Sequence, residues 1–220
     1  MKEYDLDYSS LMGGWYIPDV LCDNLIDLYH EDQHYRQDGS WNSAGVRDEK
    51  WKKSTEIYLY AYDKRYEVFN NYLDHLNNCL EEYKKKYFYS DRVSAYRIKE
   101  PVKIQHYKPG EGYLNWHSER SIHLTHQRAL TFMTYLNDVE DGGGTEFKYQ
   151  GLRHNAKKGK TLIWPSDFTH THRGQKSETQ EKYITTGWFN HVDVAFIRGE
   201  ISRAVAQRNA EMKKEQENNE

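Results

Sequence analysis

The segment YLNWHSERS, residues 113–121, sets His117 and Glu119 two apart, just after the glycine-bearing turn KPGEG. On an extended backbone residues i and i+2 project to one side, so this imidazole and carboxylate can converge on one point with Ser118 turned away. They are two thirds of the two-histidine, one-carboxylate set that holds non-haem Fe(II) and leaves coordination positions open. The chain has eleven histidines, and a His-x-Glu pair alone reads more readily as exposed polar residues. A third donor must come from elsewhere, and DFTHTHRG, residues 167–174, offers His170 and His172. Ten residues after His172, Lys182 opens KYITTGWF, where Lys182, Ile184, Thr186 and Trp188 share one strand face. A lysine in a half-buried strand is costly unless it meets an anion. It is either an edge residue pointing to solvent or a cation awaiting a ligand carboxylate.

Two helices and a series of strands must position these groups. PDVLCDNLIDLYH, residues 18–30, carries Leu21, Leu25 and Leu28 at helical spacing behind Pro18 and Asp19. KRYEVFNNYLDHLNNCLEEYKKK, residues 64–86, carries the stripe Phe69, Leu73, Leu76 and Leu80, with lysines crowding its end. From Val102 onward the pattern shortens to VKIQHY, RALTFMTYL, GTEF, KTLIWP and KYITTGWF, separated by turns such as KPGEG, EDGGG and KKG. This predicts a mainly β protein with supporting helices, α+β, in which an antiparallel sandwich or barrel follows a helical amino-terminal third. One domain is expected over residues 1–220, with helical support over about 15–90, a β core over about 95–191, and a charged C-terminal helix or tail over 196–220.

Composition narrows the function classes. A net charge of -3 supplies no long-range attraction to phosphate backbones or anionic lipid, so neither a nucleic acid nor a membrane is an expected partner. The 19 Tyr, 6 Trp and 7 Phe supply core material to an otherwise polar chain. No stretch has the length of a membrane span and MKEYDLDYSS lacks a signal-peptide core, so a cytoplasmic location is expected. Cys22 and Cys79 are expected to be buried thiols rather than a disulfide.

In this order the motifs resemble the Fe(II)/2-oxoglutarate-dependent dioxygenases, most closely their prolyl 4-hydroxylase branch. The resemblance runs from YIPDVLCDNLIDLY through KKSTEIYL, EPVKIQHYKPGEGYLNWHSE and RALTFMTYLNDVEDGGGTEF to HRGQKSETQEKYITTGW, roughly residues 15–191. It implies a double-stranded β-helix (jelly-roll) core with His117, Glu119 and His172 as iron ligands. His172 is preferred to His170 because its spacing to Lys182 fits the family. Lys182 would meet the C5 carboxylate of 2-oxoglutarate, with Tyr135 giving a second hydrogen bond. Thr131, Met133, Trp188 and Tyr107 would line the cosubstrate pocket, while Arg128, Tyr113 and Asn190 would meet the substrate. Trp51, Tyr58 and Tyr60 are either a peptide groove or plain core. Glu119 stands where the family usually has Asp, and the loop from Tyr107 to His117 is one residue longer than usual, which leaves open whether Tyr107 or Tyr113 faces the site.

The resemblance implies a dioxygenase with Fe(II), 2-oxoglutarate and O2 as cofactors, and ascorbate as an optional reductant. It would couple oxidative decarboxylation to succinate and CO2 with hydroxylation of a C–H bond, foremost in a peptidyl proline. The expected partner is a proline-containing peptide or protein, and the expected assembly a monomer or homodimer. The alternatives are a 2-oxoglutarate oxygenase acting on a free amino acid or other non-peptide substrate, and a metal-binding jelly roll without catalysis.

Overall fold

The computed structural model describes residues 1–192 except 42–45, 62, 64 and 93, together with residue 199. The expected C-terminal helix or tail, apart from Gly199, lies outside the described residues.

Helix α1 spans Asp19–Glu31 and α2 spans Glu67–Lys86. In α1 Pro18 precedes the first turn and Leu21, Leu25 and Leu28 are buried, joined by Cys22 and Tyr29. In α2 the stripe Phe69, Leu73, Leu76 and Leu80 is buried and widened by Tyr72 and Tyr83, while Lys84, Lys85 and Lys86 sit at the negative end of the helix dipole. Cys22 and Cys79 are separate buried thiols. No helix among the described residues is long and apolar enough to cross a membrane.

The amino-terminal third is less purely helical than expected. It also contributes β1 (Lys2–Glu3), β2 (Gly13–Tyr16), β3 (Gln37–Asp38) and β4 (Thr55–Leu59). These segments are short, and three of the four show no alternation that a sequence pattern could register. Eight further strands follow: β5 (Tyr96–Arg97), β6 (Val102–Tyr107), β7 (Arg128–Tyr135), β8 (Thr145–Phe147), β9 (Leu152–His154), β10 (Lys160–Pro165), β11 (His172–Gly174) and β12 (Lys182–His191). A nine-stranded antiparallel sheet runs β1-β2-β10-β7-β12-β6-β4-β3, with β5 beside β12, and a three-stranded sheet runs β11-β8-β9. Together they form the expected jelly roll.

The large sheet separates two environments by the two-residue alternation of its strands. Ile57, Leu59, Val102, Ile104, Phe132 and Phe189 point to the helices and form one core with α1 and α2. On the opposite face Tyr107, Met133, Tyr135 and Ile184 pack towards Phe147 of the small sheet. This inner face, closed at one end by apolar side chains, opens at the other into a cavity of about 590 Å³.

Candidate metal centre and its cavity

His117, Glu119 and His172 line the cavity, and one ligand atom from each lies within 4.8 Å of the others. His172 opens β11. His117 and Glu119 belong to no regular strand, which corrects the extended reading of residues 113–121. Their segment is instead pinned at isolated bridges, Lys52 opposite Tyr113 and His117 opposite His172. The second bridge is a reciprocal pair of backbone hydrogen bonds, each 2.9 Å, so the two histidines are clamped together through their main chains.

The rings are aimed by their outer nitrogens. His117 Nδ1 donates to the Asn115 carbonyl and His172 Nδ1 to the His170 carbonyl, both at 2.9 Å, which turns each Nε2 inwards as an acceptor. Glu119 Oε1 lies 3.5 Å from His117 Nε2 and 3.4 Å from His172 Nε2. Its other oxygen accepts from the Trp188 indole N–H at 3.1 Å and faces Arg128 Nη1 at 3.4 Å. Burial pushes the Glu119 carboxyl up, but its contacts with the two imidazoles outweigh this and hold it well below the usual carboxylate range. Burial, then the neighbouring His172, holds His117 below the ordinary imidazole range. A carboxylate beside a neutral imidazole, with bare nitrogens facing inwards, fits a divalent cation. The ring of Tyr113 stacks on His117 at 3.6 Å, centre to centre.

The other histidine is engaged elsewhere. His170 is buried and its Nε2 donates to the Ser10 carbonyl at 2.9 Å, tying the β10–β11 connection to the amino-terminal segment.

Lys182 stands on the cavity wall and is 4% exposed. Its ammonium donates to the Gln175 carbonyl at 3.3 Å and lies 4.5 Å from the ring centre of Tyr107. No carboxylate pairs with it among the described residues, and burial alone lowers its pKa to about 8. Tyr107 and Tyr113 both face the cavity, one under Lys182 and the other against His117. Met133 and Trp188 line it as well.

Three other expected site residues do not reach the cavity. Thr131 is fully buried with its hydroxyl on Ser166 at 2.9 Å. The Tyr135 hydroxyl donates to Thr145 Oγ1 at 2.7 Å, so Thr145, which does line the cavity, stands between Tyr135 and any ligand there. Asn190 lies beyond a register shift in β12 and donates to Glu100 at 2.9 Å. Arg128 lines the cavity but its donors are engaged: the guanidinium grips Glu100, donates to the Glu119 carbonyl at 3.0 Å and lies 3.4 Å from the Trp188 ring centre. It buttresses Glu119.

Among the aromatic residues, Trp51 and Tyr58 line the cavity, whereas Tyr60 is exposed in a separate shallow depression with Tyr35 and Tyr66. A buried charge cluster escaped the sequence reading. Glu56 of β4 is wholly buried in the cavity wall and receives Lys52 Nζ, the Gln105 amide, the Ser54 hydroxyl at 3.0 Å and the Tyr58 hydroxyl at 3.0 Å. Lys103 of β6 approaches it at 3.4 Å. The signal available was a glutamate in the middle of the strand-like run STEIYL, where an ionised side chain demands partners.

Comparison with known proteins agrees with this geometry. The family model described as the 2OG-Fe(II) oxygenase superfamily matches residues 102–190. No curated protein matches the chain by sequence. A Pseudomonas putida prolyl-4-hydroxylase superposes with a TM-score of 0.63 over 84% of this chain and 99% of its own, at 16% identity. A viral collagen prolyl hydroxylase from Paramecium Bursaria Chlorella virus-1, solved with 2OG, gives 0.60 over 83% and 97%, at 19% identity. A Trichoplax adhaerens prolyl hydroxylase, in complex with a hypoxia inducible factor oxygen degradation domain peptide fragment, gives 0.65 over 83% and 84%, at 14% identity. Residues 102–190 thus match the 2OG-Fe(II) oxygenase superfamily model, and the chain's fold is similar to that of these prolyl hydroxylases.

Proposed function

We propose that the whole chain is one Fe(II)- and 2-oxoglutarate-dependent dioxygenase domain that hydroxylates a C–H bond, foremost of a proline in a peptide, and releases succinate and CO2. The observation that carries this reading is Lys182: a buried ammonium without a carboxylate partner among the described residues, on the wall of the cavity that holds the His117, Glu119 and His172 cluster. A metal site alone would suit many activities. A second, unpaired buried charge calls for an anion, and the distal carboxylate of 2-oxoglutarate answers it.

His117, Glu119 and His172 would hold the iron, which when bound supplies open coordination positions for cosubstrate and dioxygen. The chain's own work is orientation. Asn115 and His170 carbonyls fix the two rings, Trp188 and Arg128 fix the outer oxygen of Glu119, and Tyr107 supports Lys182 from below. Thr145 would offer its hydroxyl to the cosubstrate, held by Tyr135 behind it. The peptide substrate is supported by the prolyl hydroxylase fold and by the aromatic residues Trp51, Tyr58 and Tyr113 on the open side. Ascorbate would serve as external reductant, and the two separate buried thiols fit a reducing, cytoplasmic setting.

The test is succinate release from 2-oxoglutarate with Fe(II) and a panel of proline-containing peptides. Peptide-stimulated succinate is expected, and its absence with every peptide defeats the peptidyl substrate. In parallel, His172→Ala is expected to abolish binding of Mn(II) or Fe(II) in a metal titration, whereas His170→Ala keeps it. The reverse result would mean that the wrong histidine has been assigned.

A further inference from the structure

The cavity carries more positive charge than this reaction uses. Among the described residues lining it, Lys52, Lys103, Arg128 and Lys182 face only two carboxylates, Glu56 and Glu119. Arg128 is held by Glu119 and by Glu100 behind it. Lys52 is held by Glu56 Oε1, and Lys182 is the cation assigned above to 2-oxoglutarate. Lys103 keeps only a share of Glu56, 3.4 Å from an oxygen to which the Tyr58 hydroxyl already donates. One buried carboxylate thus serves two ammoniums. Of the two, Lys103 is the one that solvent reaches, its side chain 22% exposed against 6% for Lys52.

The placement of Lys103 suits recognition. Its ammonium lies 5.2 Å from the ring centre of Tyr58 and 5.7 Å from that of Trp188. The N–H of the same Trp188 indole reaches Glu119. The Trp188 ring thus neighbours both Glu119 of the candidate metal centre and Lys103, which places the ammonium on the same stretch of cavity wall as the cluster. Aromatic walls also shield the charge from water, which makes an incoming carboxylate worth more than in an exposed ion pair.

We infer that Lys103 is a specificity-determining residue that pairs with a carboxylate carried by the substrate close to the C–H bond that is oxidised. The inference rests on the dioxygenase reading and narrows its substrate to one bearing an acidic group. The carboxylate has two sources with the same chemistry, an acidic side chain beside the target in a peptide, or the α-carboxylate of a free amino or imino acid.

Matched probes separate the sources. Binding is measured calorimetrically, with Mn(II) and 2-oxoglutarate present, for acetyl-Glu-Pro-Gly-amide against its Gln analogue and for L-proline against L-prolinamide. One carboxylate probe is expected to bind at least about tenfold more tightly than its neutral partner, about 1.4 kcal/mol. The pair that shows the difference identifies the source. Lys103→Met should erase the preference and Lys103→Arg should keep most of it, with melting curves confirming that both variants fold. Equal binding within both pairs, or a preference that survives Lys103→Met, overturns the inference. Titration of Mn(II) and 2-oxoglutarate into the same wild-type sample is read separately. Failure there overturns the dioxygenase reading, while success there without a charge preference overturns only the role of Lys103.

Discussion

Lys52 and Lys182 stand on the wall of one cavity, 5% and 4% exposed, and burial depresses the pKa of both. Around Lys52 the protein supplies everything the charge needs: Glu56 faces it, and Ser54, Gln105 and Tyr58 complete the carboxylate's shell. Around Lys182 it supplies one carbonyl and an aromatic ring. The same residue type at the same depth is therefore structural in one place and a site in the other, and the partner decides which. A folded chain that leaves a buried ammonium without its counter-ion has given up stability there, as a binding site for an anion must before the anion arrives.

The strongest way to break this comparison is to remove the partner that only Lys52 has. Glu56→Gln leaves Lys52 buried and Lys103 half-buried with no carboxylate, which should cost about 3–5 kcal/mol by chemical denaturation. Combining Glu56→Leu with Lys52→Met should restore much of the loss, since the deeply buried pair is replaced by apolar side chains and the one cation left without Glu56, Lys103, is reached by solvent. A loss below about 1 kcal/mol for Glu56→Gln would mean that water reaches the cluster and that it resembles a surface pair.

Lys182→Met should do the opposite to stability. Folding lowers the pKa of this lysine from 10.5 to about 8, so the unfolded chain holds the proton more tightly. The penalty is full below about pH 8 and fades as pH rises towards 10.5. At pH 7 the variant should melt no lower than the wild type while its dissociation constant for 2-oxoglutarate rises at least about tenfold, since each 1.4 kcal/mol is one decade. Metal binding should persist because the triad is untouched. Unchanged 2-oxoglutarate binding would reduce Lys182 to packing.

The titration itself sharpens the point. Only the protonated lysine attracts a carboxylate, so binding of 2-oxoglutarate takes up a proton when the free site is deprotonated. Affinity should be flat below about pH 8 and weaken above it. Lys182→Arg, charged throughout this range, should bind more weakly for want of room but lose the pH dependence. A wild-type profile that stays level to pH 9.5 would place another cation at the carboxylate.

The difference between the two lysines also explains what could be read from the sequence. The His117 and Glu119 pair, the candidates His170 and His172, and Lys182 at the head of an apolar strand are local spacings, and their order along the chain was enough to find them. The helical stripes of α1 and α2 were equally local. The Lys52 cluster was not, because Lys52 and Glu56 are four apart, a spacing that reads as a surface pair on a helix, and two further members, Lys103 and Gln105, come from the distant β6. Strand alternation correctly put Tyr135 and Thr131 on the face of Met133 but says nothing of depth along the strand, and β8, which takes up the Tyr135 hydroxyl, is only three residues long. Asn190 came from the resemblance alone, and a motif match does not register the bulge in β12 between Phe189 and Asn190, beyond which its side chain meets Glu100.

The smallest effect should come from Tyr135. Had its hydroxyl met the cosubstrate, Tyr135→Phe would weaken 2-oxoglutarate binding about as much as loss of a hydrogen bond to a charged group, about 1.5–3 kcal/mol. With the hydroxyl spent on Thr145 at 2.7 Å, the variant instead loses one buried neutral bond. The expected cost is about 1 kcal/mol in folding stability and less than about threefold in the 2-oxoglutarate constant, because Thr145 keeps its own proton to donate. Thr145→Val, which removes the group that faces the cavity, should then exceed Tyr135→Phe in its effect on binding. If the order is reversed, the tyrosine hydroxyl swings into the cavity when the cosubstrate enters, and the second hydrogen bond to the carboxylate belongs to Tyr135 after all.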